Sequence, residues 1–86
     1  MKQHYKVYVD HCNMNGGILD QFESVITSES LKDAIRESAD WEVNLYTMLD
    51  GFKLVARNDF EDESWIQFKT PEGIDQFLSI TGERWQ

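Results

Sequence analysis

This 86-residue chain predicts an α+β fold: one two-layer domain, with an antiparallel sheet and helices packed on one of its faces. Three observations carry that expectation. Short stretches of alternating apolar and polar residues are separated by Asn-Gly, Asp-Gly and Thr-Pro turn chemistry, as in a chain of strands and hairpins. One stretch, Ser30 to Ala39, repeats its apolar residues at helical spacing instead. A chain of this length buries roughly 60–65% of its unfolded surface, enough for one modest core, so residues 1–86 form a single domain. The predicted order is ββαβββα, and strands in one layer with helices in the other is its natural solution.

Residues 4–13 alternate, with Tyr5, Val7 and Val9 on one face and Lys6, Tyr8 and Asp10 on the other. Asn15-Gly16 is a hairpin signal, because both residues tolerate positive φ. A second strand over 18–27 then pairs back, placing Val9 opposite Phe22, Tyr5 opposite Ile26 and His11 opposite Asp20; a longer loop would shift that register. Ser28-Glu29-Ser30 opens a helix, since a serine can accept from the first free backbone N–H groups. Leu31, Ala34, Ile35 and Ser38 form its apolar stripe, with Lys32, Asp33, Arg36 and Glu37 toward solvent, and its end is expected near Ala39 or Trp41.

Residues 43–49, Asp50-Gly51 and residues 52–58 read as a hairpin with a type I′ turn. Leu49 then opposes Phe52, Thr47 opposes Leu54 and Leu45 opposes Ala56 on the buried side. A short strand over 64–69 turns Ile66 and Phe68 inward and Trp65 and Gln67 outward. Thr70-Pro71-Glu72 then has the signature of a helix start: a capping threonine, proline at the first helical position and an acid in the first turn. Ile74, Phe77 and Leu78 are its expected stripe and Gly82 its stop. Trp41 and Trp85, near element ends, are expected to cover the core.

Charge limits the function. Sixteen acids against eight bases give a net charge of −8 at pH 7. That balance opposes direct binding to nucleic acid or to anionic membranes. No apolar run approaches the ~20 residues of a membrane span, and the polar start of the chain does not resemble a signal peptide. Cys12 is the only cysteine, which excludes an intramolecular disulfide and two-cysteine metal motifs and points to a reducing, cytoplasmic setting.

Catalytic and metal chemistry find little support. His11 and Cys12 are adjacent on a strand, so their side chains point to opposite faces, and the two histidines and one cysteine assemble no converging acid, base and nucleophile. Asp59, Glu61, Asp62 and Glu63 lack the alternating ligands, glycine and terminal glutamate of a calcium loop. No enzyme activity, cofactor or metal is expected. A ligand pocket would need apolar volume that so small a core can barely spare.

Two surfaces remain. From Asp59 onward there are seven acids against two bases, so Asp59, Glu61, Asp62, Glu63, Glu72 and Asp75, with Phe60 inside the run, are the candidate acidic contact. Their simpler role is that of a solvated connection. The outward sheet face is the second, with Tyr8, Tyr46, Met48, Val55 and Trp65 as aromatic and apolar contacts; such pairs also stabilise a sheet on their own.

Ser30-Leu31-Lys32-Asp33-Ala34-Ile35-Arg36-Glu37-Ser38-Ala39, between a strand and the expected hairpin, resembles the helix of small phage-encoded anti-CRISPR proteins. The resemblance covers residues 21–65, in layout and in core positions, and carries no functional residue across. It implies a non-enzymatic inhibitor, in the host cytosol, that occupies a defence complex; the strong acidity fits a DNA-mimicking mode. The leading expectation is thus an inhibitor or regulator that binds a basic, nucleic-acid-handling protein. A homodimeric accessory subunit using the sheet face, and an antitoxin-like binder, are the alternatives.

Overall fold

The first hairpin keeps the expected register through a compensation. A computed structural model of the protein describes residues 1–85. Strand β1 (Gln3–Asn13) pairs antiparallel with β2 (Ile18–Ser28), with Val9 opposite Phe22, Tyr5 opposite Ile26 and His11 opposite Asp20. The loop has three residues, not two: Asn13 N–H donates to Gly17 O at 2.9 Å and Gly16 N–H to Asn13 O at 3.0 Å. That arrangement is a type I turn followed by a glycine at positive φ. It shifts the pairing by one residue, and the irregularity between His11 and Cys12, where Leu19 has no opposite number, restores it.

Helix α1 (Leu31–Asn44) starts where Ser30 Oγ accepts from Asp33 N–H at 3.1 Å. It buries Ala34, Ile35, Ser38, Ala39 and Glu42. The helix then continues as a π-helical segment, Leu45–Leu49, through residues expected to form a strand. Two periodicities compete in that stretch. Tyr46 follows Glu42 and Ala39 on the helical stripe, and its ring packs at 5.2–5.3 Å between centroids against His11, Phe52 and Phe68. As a strand residue facing outward, Tyr46 would leave that aromatic surface exposed. The positive-φ demand at Gly51 (φ 70°) is real, but it ends the helix: Phe52 N–H returns to Tyr46 O at 2.9 Å, the backbone closure of a helix C-cap.

Strand β3 (Lys53–Asp59) therefore lacks its predicted partner and pairs with β4 (Glu63–Lys69), with Leu54 opposite Phe68 and Asn58 opposite Trp65. Ile66 and Phe68 point inward, as the alternation requires, and are buried.

Residues 75–84 are strand β5 (Asp75–Arg84), not a second helix. Thr70 N–H donates to Ile74 O and Gly73 N–H to Thr70 O, both at 2.8 Å, while Thr70 Oγ1 accepts from Ile74 N–H at 3.0 Å. The first two residues of a type I turn have nearly helical dihedrals, so threonine and proline suit a turn as well as a helix start. Gly73 at φ 85° then breaks the helical path. Leu78 and Ile80 become buried strand residues, whereas Ile74 is left exposed. Gly82 is no helix stop: it lies under α1, where an added Cβ would meet Lys6 O at 3.0 Å and Leu31 Cδ1 at 3.1 Å.

Among the described residues, the five strands form one antiparallel sheet in the order β2-β1-β5-β4-β3, with α1 packed on one face. The α+β, two-layer class holds with five strands and one helix. Tyr5, Val7 and Val9 from β1, Leu78 and Ile80 from β5, and Ile66 and Phe68 from β4 meet Ala34, Ile35 and Ala39 of α1 in the core. The alanines let the helix approach the sheet closely. The opposite face carries Lys6, Tyr8, Cys12, Trp65 and Phe77.

Candidate functional site

The acidic run forms the tip of the β3–β4 hairpin, closed by Phe60 N–H donating to Glu63 O at 2.7 Å. Bases meet two of its four acids. Asp59 accepts from Ser64 Oγ at 2.7 Å and Arg57 Nε at 3.1 Å, and Arg57 also reaches Asp40 at 2.7 Å. Burial pushes the Asp59 carboxyl up, but the hydrogen bonds from Ser64 and Arg57, with the charges of Arg57 and Arg36, hold it below the usual carboxylate range. Lys32 stands 3.9 Å from Glu61, and Glu63 accepts from Ser79 Oγ at 2.9 Å on the open face. Asp62 has no ion-pair partner among the described residues, and Phe60 is 54% exposed.

Glu72 and Asp75 do not extend this patch. They flank the β4–β5 turn, where Asp75 pairs with Lys69 at 3.5 Å, and all of β4 separates them from Glu63. Six strand steps amount to about 20 Å. The expected continuity required a helix after Pro71, and a strand stands there instead.

The predicted sheet-face set divides as well. Tyr8 and Trp65 lie on the open face, where Tyr8 donates to Glu83 at 2.9 Å and Trp65 stacks on Phe77 at 5.2 Å. Tyr46 and Met48 belong to the helical extension, on the other side. Tyr46 is turned toward the core, and burial pushes its hydroxyl up to about 12. Met48 is exposed, and Val55 is exposed at an irregularity of the β3 edge. His11 and Cys12 diverge: His11 meets Gln76 Oε1 at 2.7 Å and the Tyr46 hydroxyl at 3.2 Å, while Cys12 is buried under the open face. Among the described residues, no three of the His, Cys, Asp and Glu side chains converge as a metal site, and no helix is long and apolar enough to cross a membrane.

The structure builds its most developed concavity elsewhere. Strand β2, at the sheet edge, extends past the shelter of α1, so the helix-side residues Phe22 and Ser24 remain exposed beside Ile26. Together with Glu37, Ser38, Asp40, Trp41, Glu42 and Asn44 of the helix they line a groove of about 540 Å3. No lysine, arginine or histidine lines it. Trp41 forms one wall and is 64% exposed, so it does not cover the core. Trp85 is likewise half exposed and lies over Lys6, its ring centroid 4.8 Å from Nζ.

Glu42 is the unusual member. It is 7% exposed, yet its carboxylate has no hydrogen-bond or ion-pair partner among the described residues. Burial alone pushes its pKa up. Asp20 and Asp50 add negative charge at this end of the helix, since both act on Tyr46 together with Glu42. Lys32 stands by Glu61 and Arg57 bridges Asp59 and Asp40, so among the described residues the one base that reaches a groove carboxylate is Arg57, at Asp40 on the groove's border. The sequence carried one signal of this groove: the stripe Leu31, Ile35, Ser38, Glu42 places an acid where an apolar residue belongs.

No protein-family model, no curated protein and no solved structure matches this chain.

Proposed function

We propose that the protein is a non-enzymatic, acidic inhibitor or regulator that occupies a basic surface of a nucleic-acid-handling protein. The observation that carries this reading is an uncompensated negative flank. Asp20, Glu37, Glu42 and Asp50 have no salt-bridge partner among the described residues, whereas two of the four acids of the Asp59–Glu63 tip meet a base. Free carboxylates present acceptors for arginine and lysine in the way phosphates do, and a one-signed field speeds association with an opposite one. The resemblance to anti-CRISPR proteins makes a phage-defence complex the first target class to try. The hairpin in that layout is a helix end and a strand here, so the proposal rests on charge.

The test is a pull-down from the native host cell eluted with a salt gradient, followed by binding measurements on the captured protein. A basic, nucleic-acid-binding partner that elutes early, and loses at least tenfold affinity to the Asp20→Asn/Glu37→Gln double variant, is expected. Neutralising Glu61 and Asp62 is expected to change less. Affinity that ignores both salt and these charges would overturn the reading. A basic toxin as partner would favour the antitoxin alternative.

A dimeric accessory subunit is favoured by one observation, at a surface other than the aromatic face. Edge strand β2 is eleven residues long and exposes Ile18, Leu19, Phe22 and Val25, a ready template for strand pairing. Light scattering at micromolar concentration decides: a dimer abolished by Val25→Lys supports this reading, and a clean monomer refutes it.

A further inference from the structure

We propose that the groove between α1 and β2 is a binding site for a small organic cation, an amine or guanidinium carried on an apolar body. This is a separate site reading, resting on the groove's own geometry and not on a macromolecular partner. Its volume, about 540 Å3, lies in the ordinary range of small-molecule sites, roughly 300–1,000 Å3. The objection that an 86-residue core has no spare volume does not apply, because the groove lies outside the core, between a helix flank and an overhanging strand.

Its chemistry is divided between wall and floor. Phe22, Ile26 and Trp41 supply apolar and aromatic surface, and Trp41 is far more exposed than an aromatic at a packed helix–sheet junction. Glu42 supplies the recognition group. Most of the Glu42 side chain is buried, no donor among the described residues meets its carboxylate, and its oxygens stay open to the groove, so a cation that donates there gains a partly desolvated acceptor. Glu37 and Asp40 add two further carboxylates at the lining, Asp40 being the one already paired with Arg57, and the Trp41 ring face suits a cation as well. With no basic side chain in the lining, the site disfavours anions, and a neutral ligand would leave Glu42 unpaired.

Three matched probes test this on the full chain at pH 7: phenethylammonium, 2-phenylethanol and phenylacetate. Backbone and indole amide NMR titrations read both location and affinity. The expected result is saturable binding of phenethylammonium, at least tenfold tighter than 2-phenylethanol. Shifts should centre on Phe22, Ile26, Trp41 and Glu42, with none for phenylacetate. Glu42→Gln should weaken the cation at least tenfold and leave the alcohol unchanged, while Trp41→Ala should weaken both; the same spectra verify that each variant is folded. Equal affinities for the three probes would overturn the proposal. So would cation binding that survives Glu42→Gln, or non-saturating shifts scattered over the acidic surface. If phenethylammonium fails to bind while a captured partner still depends on Asp20 and Glu37, this site falls and the inhibitor reading stands, so the two fail independently.

Discussion

Replacing Glu42 by glutamine should stabilise the protein at neutral pH, against the usual direction of substitutions at buried positions. Glu42 sits on the buried stripe of α1 at 7% exposure with no partner for its carboxylate among the described residues. Burial raises its pKa from a reference of 4.5. A raised folded-state pKa means that the folded protein holds the proton more tightly than the unfolded chain. The stability this linkage contributes is fully present below pH 4.5 and is lost as pH rises through the folded value. Above the folded value the wild type carries a charge on a largely buried side chain that no donor among the described residues meets. Leaving such a group unsatisfied costs about 1–3 kcal/mol, and an amide of the same shape keeps part of that cost. The net gain for Glu42→Gln is about 1 kcal/mol, or roughly 4–8 °C in Tm for a domain of this size. The assay is urea unfolding of both proteins at several pH values between 4 and 7. The difference should be largest at pH 7 and shrink toward pH 4, where the wild-type carboxyl is mostly protonated in both states and the other acids cancel. A variant that is less stable at pH 7, or a difference that does not change with pH, would refute the reasoning.

Arg57→Met should cost about 1–2 kcal/mol in urea unfolding, because it strands both Asp40 and the partly buried Asp59. Since the Asp59 pKa is lowered, that interaction is present above the reference value of 3.8 and is lost as pH falls through the folded value, so the penalty should shrink in acid. Gly82→Ala and Gly73→Ala should both destabilise for different reasons: crowding against Lys6 O and Leu31 in the first, about 1–3 kcal/mol, and backbone strain in open space in the second, about 1 kcal/mol. A longer side chain should therefore worsen position 82 and leave position 73 nearly unchanged, as thermal melts would show. Cys12 is buried and burial pushes its thiol up, so it should react with a thiol reagent at pH 8 only at the rate of opening; rapid labelling of the native protein would contradict its placement.

The parts of the fold legible in the sequence share one property: their signals are local and single-valued. Tyr5, Val7 and Val9 alternate at a period that suits only a strand, and Ile66 and Phe68 do the same. Ser30 caps a helix whose first two turns have no competing pattern. Residues 43–49 and 74–82 failed as readings because each fits two periods. Val43, Leu45, Thr47 and Leu49 alternate, while Glu42 and Tyr46 continue a helical stripe. Thr70 and Pro71 suit a type I turn as well as a helix start. The candidate site followed those errors: continuity between the Asp59 tip and Glu72 depended on the second helix, and the Tyr46 and Met48 contacts depended on the second hairpin.

One-domain size and net acidity follow from length and composition, which are sums over the chain, and the α+β class follows from spacings between residues a few positions apart. The identity of β5 and the π-helical extension were decided in three dimensions. An aromatic surface of His11, Phe52 and Phe68 awaited Tyr46, and β1 and β4 each had an edge that only a central strand could pair. The same holds for charge. Where the carboxylates lie in sequence is plain, but which of them remain unpaired was settled when Arg57 reached Asp59 and Asp40, leaving Glu37 and Glu42 of the α1–β2 groove without a base among the described residues.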